Sequence, residues 1–111
     1  DKLISLAEQL KSANLKLEIL TCKLDVRDAA EVDRFASSLP AEFAEIDILI
    51  NNAGLALGVT PAHQADIDDW EVMVDTNIKG IMRMTRNILP AMVERNKGHI
   101  VNIGSVAASW P

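Results

Sequence analysis

Three short apolar runs, each closed by a polar or small-residue corner, constrain this chain most. Leu15 to Leu24, Ile46 to Asn51 and His99 to Ser105 are rich in aliphatic and β-branched residues and read as strands. They lack the sustained polar–apolar alternation of a half-wet sheet, which implies burial on both faces. Helical periodicity separates them. Leu3, Leu6, Ala7 and Leu10 recur at helical spacing, with Asn14 as a stop. Asp28 and Glu31 form a capping-box pattern ahead of Val32, Phe35, Ala36 and Leu39, and Pro40 ends that helix. Asp66 to Arg95 is mainly helical, with Pro90 expected to kink or divide it and Gly98 expected as its C-terminal cap. Strands alternating with helices imply an α/β fold with a parallel sheet.

In such a sheet, ligands bind beyond the carboxyl ends of the strands. Asp25, the run Asn51, Asn52, Ala53 and Gly54, and the pair Gly104 and Ser105 follow the three predicted strands. They should share one edge and line one crevice. Asn51 is expected to tie neighbouring strands together. The long helix adds a fourth group. Met73, Asn77, Ile81, Met84 and Ile88 fall on one stripe. Asn77 therefore faces inward and needs a hydrogen-bond partner, because an unpaired buried amide costs about 1–3 kcal/mol. Backbone freed by a local irregularity, made easier by Gly80, is the expected partner.

Composition narrows the function. The net charge is −5 and aromatics make up 4%, so the positive surface that nucleic acid requires is missing. No apolar run reaches the length of a membrane span. Cys22 is the single cysteine; set in an apolar run, it is expected to be a buried, inert thiol. A soluble cytoplasmic protein is the expectation. No spacing of His63 or His99 with carboxylates or Cys22 suggests a metal site.

The residues at the strand ends resemble those of the short-chain dehydrogenase/reductase family. "LDV" (Leu24 to Val26), "NNAG" (Asn51 to Gly54), "DTNIKG" (Asp75 to Gly80) and "HIVNIGSVAA" (His99 to Ala108) occur in the family's order. "INNAGLALG", "PAMVERNKGHIVNIGS" and "AASWP" further resemble the branch of NADP-dependent 3-hydroxy acid dehydrogenases, which act on L-serine, L-allo-threonine and related small hydroxy acids. The resemblance implies a Rossmann-type doubly wound parallel sheet, with this chain lacking the first two strands and everything after the fifth. It implies catalytic roles for Ser105 and Asn77: Ser105 bonding the substrate oxygen, Asn77 holding a relay water. Cofactor contacts are implied for Asp25 and Val26 at the adenine, and for Asn52, Ala53 and Gly54 at the ribose. NADP is the implied cofactor, with NAD also open, and the full-length protein is expected to be a homo-oligomer, dimer or tetramer, using the long helix at an interface.

The family's Gly-rich loop and YxxxK pair are absent, and the chain contains no tyrosine. Residues 1–111 are therefore expected to be an interior segment of a single dinucleotide-binding domain. Alone, they are not expected to form a well-packed monomer, because the first predicted strand lacks its neighbours. A nucleotide-binding or interaction module without catalysis is the alternative function. A phosphoacceptor domain built on Asp25 would need an acidic metal pocket and a lysine that the strand ends do not offer. Trp70 and the methionines of the long helix fit packing, Arg83 and Arg86 are expected to face outward, and Trp110 with Pro111 follows the third strand closely enough to border a substrate pocket.

Overall fold

The computed structural model describes residues 2–109. Helix α1 spans Lys2–Ala13 and α2 spans Ala29–Ser38. Strand β1, Ile48–Asn51, precedes a long loop with a short 3-10 turn at Ala62–Gln64. Helix α3, Ile67–Val74, passes through a π-helical turn, Asp75–Lys79, directly into α4, Gly80–Glu94. Strand β2, His99–Asn102, and 3-10 turns at Ala41–Phe43 and Val106–Ala108 complete the described elements.

The two strands lie side by side and parallel, with Ile48 opposite His99 and Asn51 opposite Asn102. Pairing continues one residue further, through Ile103 N donating to the Asn51 carbonyl at 3.0 Å. This is an α/β unit in which α4 packs on β1 and on α2. The core sits between them: Val32 from α2, Leu49 from β1, and Met84, Ile88 and Met92 from α4. Those three α4 positions recur every four residues, which keeps one apolar stripe facing the sheet. Asn51 is buried beside this core and ties three elements together, as expected. Its Nδ2 donates to Asn102 Oδ1 on β2 at 2.8 Å and to Thr85 Oγ1 on α4 at 3.2 Å.

The helix ends follow local chemistry. Asp28 caps α2 by accepting from Glu31 N, and Asp66 caps α3 by accepting from Asp68 N. The reciprocal arm of the capping box does not return to Asp28. Glu31 Oε2 instead accepts from Asp25 N at 3.1 Å. At the far end of α4 the left-handed residue is Asn96 (φ 52°), with Lys97 N donating to the Met92 carbonyl and Asn96 N to that of Val93. That is a Schellman cap built on asparagine. Gly98 is therefore not the cap; it is needed because a Cβ there would lie 2.5 Å from Met92 Sδ. The irregularity in the long helix falls at Asp75–Lys79, while Gly80–Glu94 runs through Pro90 as one helix.

Three further expectations are overturned. Residues 15–24 form no strand, because a strand is defined by a paired neighbour and the sheet of the described residues contains only β1 and β2. Cys22 is exposed, since that unpaired segment has nothing packed over it. Burial on both sheet faces is also absent. Leu49 and Asn51 point into the core, but Ile48 and Ile50 remain 60% and 58% exposed on the other face. Helix α1 forms as expected but buries no residue. The radius of gyration is 16.7 Å, against about 13 Å for a compact domain of this size.

Amide hydrogen exchange should map this uneven packing. Amides of Met84, Ile88 and Met92 are expected to exchange far more slowly than those of Leu6 and Leu10. Replacing Ile88 by Ala should lower the stability of the α4 region by about 2–5 kcal/mol, read as a drop in the protection of those same core amides.

Candidate active site

The carboxyl ends of β1 and β2 open onto a hollow of about 500 Å³. Asn52, Ala53 and Gly54 line it from the loop after β1, and Gly104 and Ser105 from the loop after β2. Met73, Asn77 and Ile81 line it from the α3–α4 rod. A second hollow, about 520 Å³, is lined by Lys23, Leu24, Asp25, Val26, Asp28 and Glu31. Ala53 borders both. All seven sequence-derived site residues therefore lie along one rim, five around Ser105 and two around Asp25. Trp110 and Pro111 lie outside the described residues.

Asn77 occupies the π-turn and grips the first loop by its main chain. Its Nδ2 donates to the Leu55 carbonyl at 2.7 Å, and its Oδ1 accepts from Leu55 N at 2.9 Å. The amide partner expected from sequence is thus the loop after β1 rather than the helix's own backbone. Met73, one turn earlier, adds a second hold: its Sδ accepts from Leu57 N at 3.3 Å. Sequence periodicity placed Met73 on the packing stripe, and only the fold shows that its sulfur meets the loop. The turn also carries a cost. Thr76 Oγ1 is buried with no hydrogen-bond partner among the described residues, a penalty of about 1–3 kcal/mol. Wide turns of this kind recur at functional sites.

Ser105 is exposed, and its Oγ accepts from Ala107 N at 3.2 Å, capping the 3-10 turn. That bond uses a lone pair and leaves the hydroxyl hydrogen available to donate into the hollow.

Asp25 is held in two ways that its sequence context had not disclosed. Arg27 forks onto it, Nη2 to Oδ2 at 2.7 Å and Nε to Oδ1 at 3.0 Å, while Arg27 N also donates to Oδ1 at 3.0 Å. The side-chain bond from Arg27, followed by the backbone bond from the same residue, lowers the Asp25 pKa to about 2. The spacing of Asp and Arg two apart in "DVR" was the available signal. Arg83, expected to face outward, turns inward and donates from Nη1 to the Arg27 carbonyl.

The Asp25–Arg27 pair gives a signed pH prediction. A depressed carboxyl pKa means that the pair's contribution is complete above the ordinary carboxylate range and fades as pH falls toward 2. The Asp25 carboxyl carbon should titrate near pH 2 in a carbon-detected NMR series. In Arg27→Gln its midpoint should rise to about 4.

Comparison with known proteins matches this arrangement to one family. The sequence pattern of the short chain dehydrogenase family matches residues 1–111. The NADP-dependent 3-hydroxy acid dehydrogenase YdfG of Salmonella typhi is 60% identical over 93 residues, covering 84% of this chain and 38% of that protein. The protein of the same name from Escherichia coli K12 is 63% identical over 89 residues, 80% of this chain and 36% of that one. The crystal structure of serine dehydrogenase from Escherichia coli superposes with a TM-score of 0.81 at 56% identity, covering 94% of this chain and 49% of its own. The closed form of serine dehydrogenase complexed with NADP+ gives 0.83 at 56% identity, covering 93% and 42%. The chain spans less than half the length of these relatives. With its parallel strands, its strand-end corners and its helix asparagine in the family's order, the chain belongs to the short-chain dehydrogenase family.

Proposed function

We propose that these residues form part of a single dinucleotide-binding domain in an oxidoreductase that transfers hydride between NADP(H) and the 3-hydroxyl carbon of a small hydroxy acid, such as L-serine or L-allo-threonine. The observation that carries this reading is the shared rim, on which the Ser105 hydroxyl and the Asp25 carboxylate stand in two hollows joined at Ala53. The names of the 60–63% identical relatives, which are NADP-dependent 3-hydroxy acid dehydrogenases, support the same chemistry.

The residues suit a bound dinucleotide. Asp25 offers a carboxylate acceptor to an exocyclic amine, and Val26 lies next to it with an apolar side chain. Ala53 and Gly54 carry little or no side chain, so backbone can approach a sugar closely. When bound, NADP+ supplies the nicotinamide carbon that accepts hydride. Ser105 donates its hydroxyl hydrogen to the substrate oxygen as negative charge grows there. Asn77 has one Nδ2 hydrogen and one Oδ1 lone pair remaining after its two bonds to Leu55. These hold a water in a proton relay. Asn52, Ala53 and Gly54 bound the ribose. A homo-oligomer in the cytoplasm accompanies this reading, and the outward apolar positions Ile67, Trp70, Val74, Ile78 and Met82 support association through the long helix.

The test is NADP+-dependent oxidation of L-serine and L-allo-threonine by the full-length enzyme carrying these residues. Ser105→Ala is expected to lower kcat by about 10²–10³ with cofactor affinity retained. Unaltered turnover would remove Ser105 from the reaction, and no turnover of either hydroxy acid by the parent enzyme would remove the substrate class.

A further inference from the structure

The turn bearing Asp25 has no paired strand beneath it, since residues 15–24 join no ladder among the described residues. It is located instead from α4. Gly80 approaches so closely that a Cβ there would lie 2.8 Å from Val26 Cγ2. One turn further along α4, Arg83 Nη1 donates to the Arg27 carbonyl. Arg27 in turn grips both oxygens of Asp25. Arg27 N and Nε bond Oδ1 at 3.0 Å each, while Nη2 and Nε bond Oδ2 at 2.7 and 3.1 Å, so the fork sets the orientation of the whole carboxylate. The direction of that carboxylate depends on where the Arg27 backbone sits.

We propose that Arg83 is a positioning residue for the adenine half of the dinucleotide, acting through the Arg27 carbonyl to fix the fork on Asp25 and so the direction in which its carboxylate is presented. This rests on the assignment of Asp25 to the adenine. A general staple between α4 and α2 is already provided by Asn87, whose Nδ2 donates to the Asp33 carbonyl at 3.2 Å and whose Oδ1 accepts from Ala36 N at 3.3 Å. Arg83 is the α4 side chain that bonds the Asp25–Arg27 turn itself.

The experiment measures binding of adenosine 2′,5′-bisphosphate, which carries only the adenine half, to the full-length enzyme, together with kcat at saturating NADP+. Arg83→Met is expected to weaken binding of this probe by about 3- to 10-fold and to leave kcat unchanged. Arg83→Lys keeps an N–H donor and should restore binding to within about twofold. Asp25→Ala should weaken the probe as well, and adding Arg83→Met to it should weaken binding no further. Asn87→Ala should lower Tm without changing probe affinity. If Asp25→Ala weakens the probe and Arg83→Met does not, or if the two effects add, the positioning role is overturned. If Asp25→Ala has no effect, the adenine assignment fails and takes the proposal with it. Should Arg83→Met prevent folding, Arg27→Met removes the fork while keeping the carbonyl; unchanged probe binding in that variant overturns the proposal equally.

Discussion

The grip of Asn77 on Leu55 is the constraint around which the site is built. An amide side chain matched to both main-chain groups of one loop residue fixes distance and direction together. The π-turn makes this reach possible, at the cost of a buried, unpaired Thr76 hydroxyl. From that anchor the helix proceeds as a rail. Gly80 meets Val26, Arg83 meets the Arg27 carbonyl, Asn87 meets the backbone of α2, and Arg95 donates to the Ile46 carbonyl at 2.7 Å. One edge of one helix thus sets the loop after β1, the Asp25 turn, α2 and the entry to β1.

This arrangement explains how a site can be ordered while much of the sheet around it is bare. The core of five buried apolar residues lies between α2, β1 and α4, and the rail runs along its border. Neither α1 nor residues 15–24 contributes a buried residue. Helix α1 lines neither hollow, and of residues 15–24 only Lys23 and Leu24 border the one at Asp25.

What could be read from sequence was local chemistry. Strand-end corners at Asn51–Gly54 and Gly104–Ser105, the Asp28 cap and an inward Asn77 all follow from short-range patterns, and each appears in the fold. What could not be read was partnership at a distance. Leu15 to Leu24 has the composition of a strand, but pairing needs neighbours that composition does not supply. Cys22 followed it into solvent for the same reason. At the end of α4, glycine was the obvious cap by propensity, yet the backbone turns left-handed at Asn96, and Gly98 instead makes room for Met92. Arg83 looked like a solvent-facing charge because its acceptor, a carbonyl 56 residues earlier, leaves no trace in side-chain patterning.

The rail binds almost entirely to main-chain atoms, and this sets how such a segment can drift. Positions 33, 46 and 55 offer carbonyls, and any amino acid supplies one, so their side chains can vary with no compensating change on the helix; position 27 offers one as well, but its side chain is committed to Asp25. Positions 36 and 55 also give an N–H, which bars only proline there. A one-residue deletion in the regular helix after the π-turn, between Gly80 and Arg83, is a different matter. It would rotate everything downstream by about 100° and swing the contacts beyond it away from their partners. Substitution is cheap where a loop residue offers only its main chain, whereas a change in register of the helix is prohibitive.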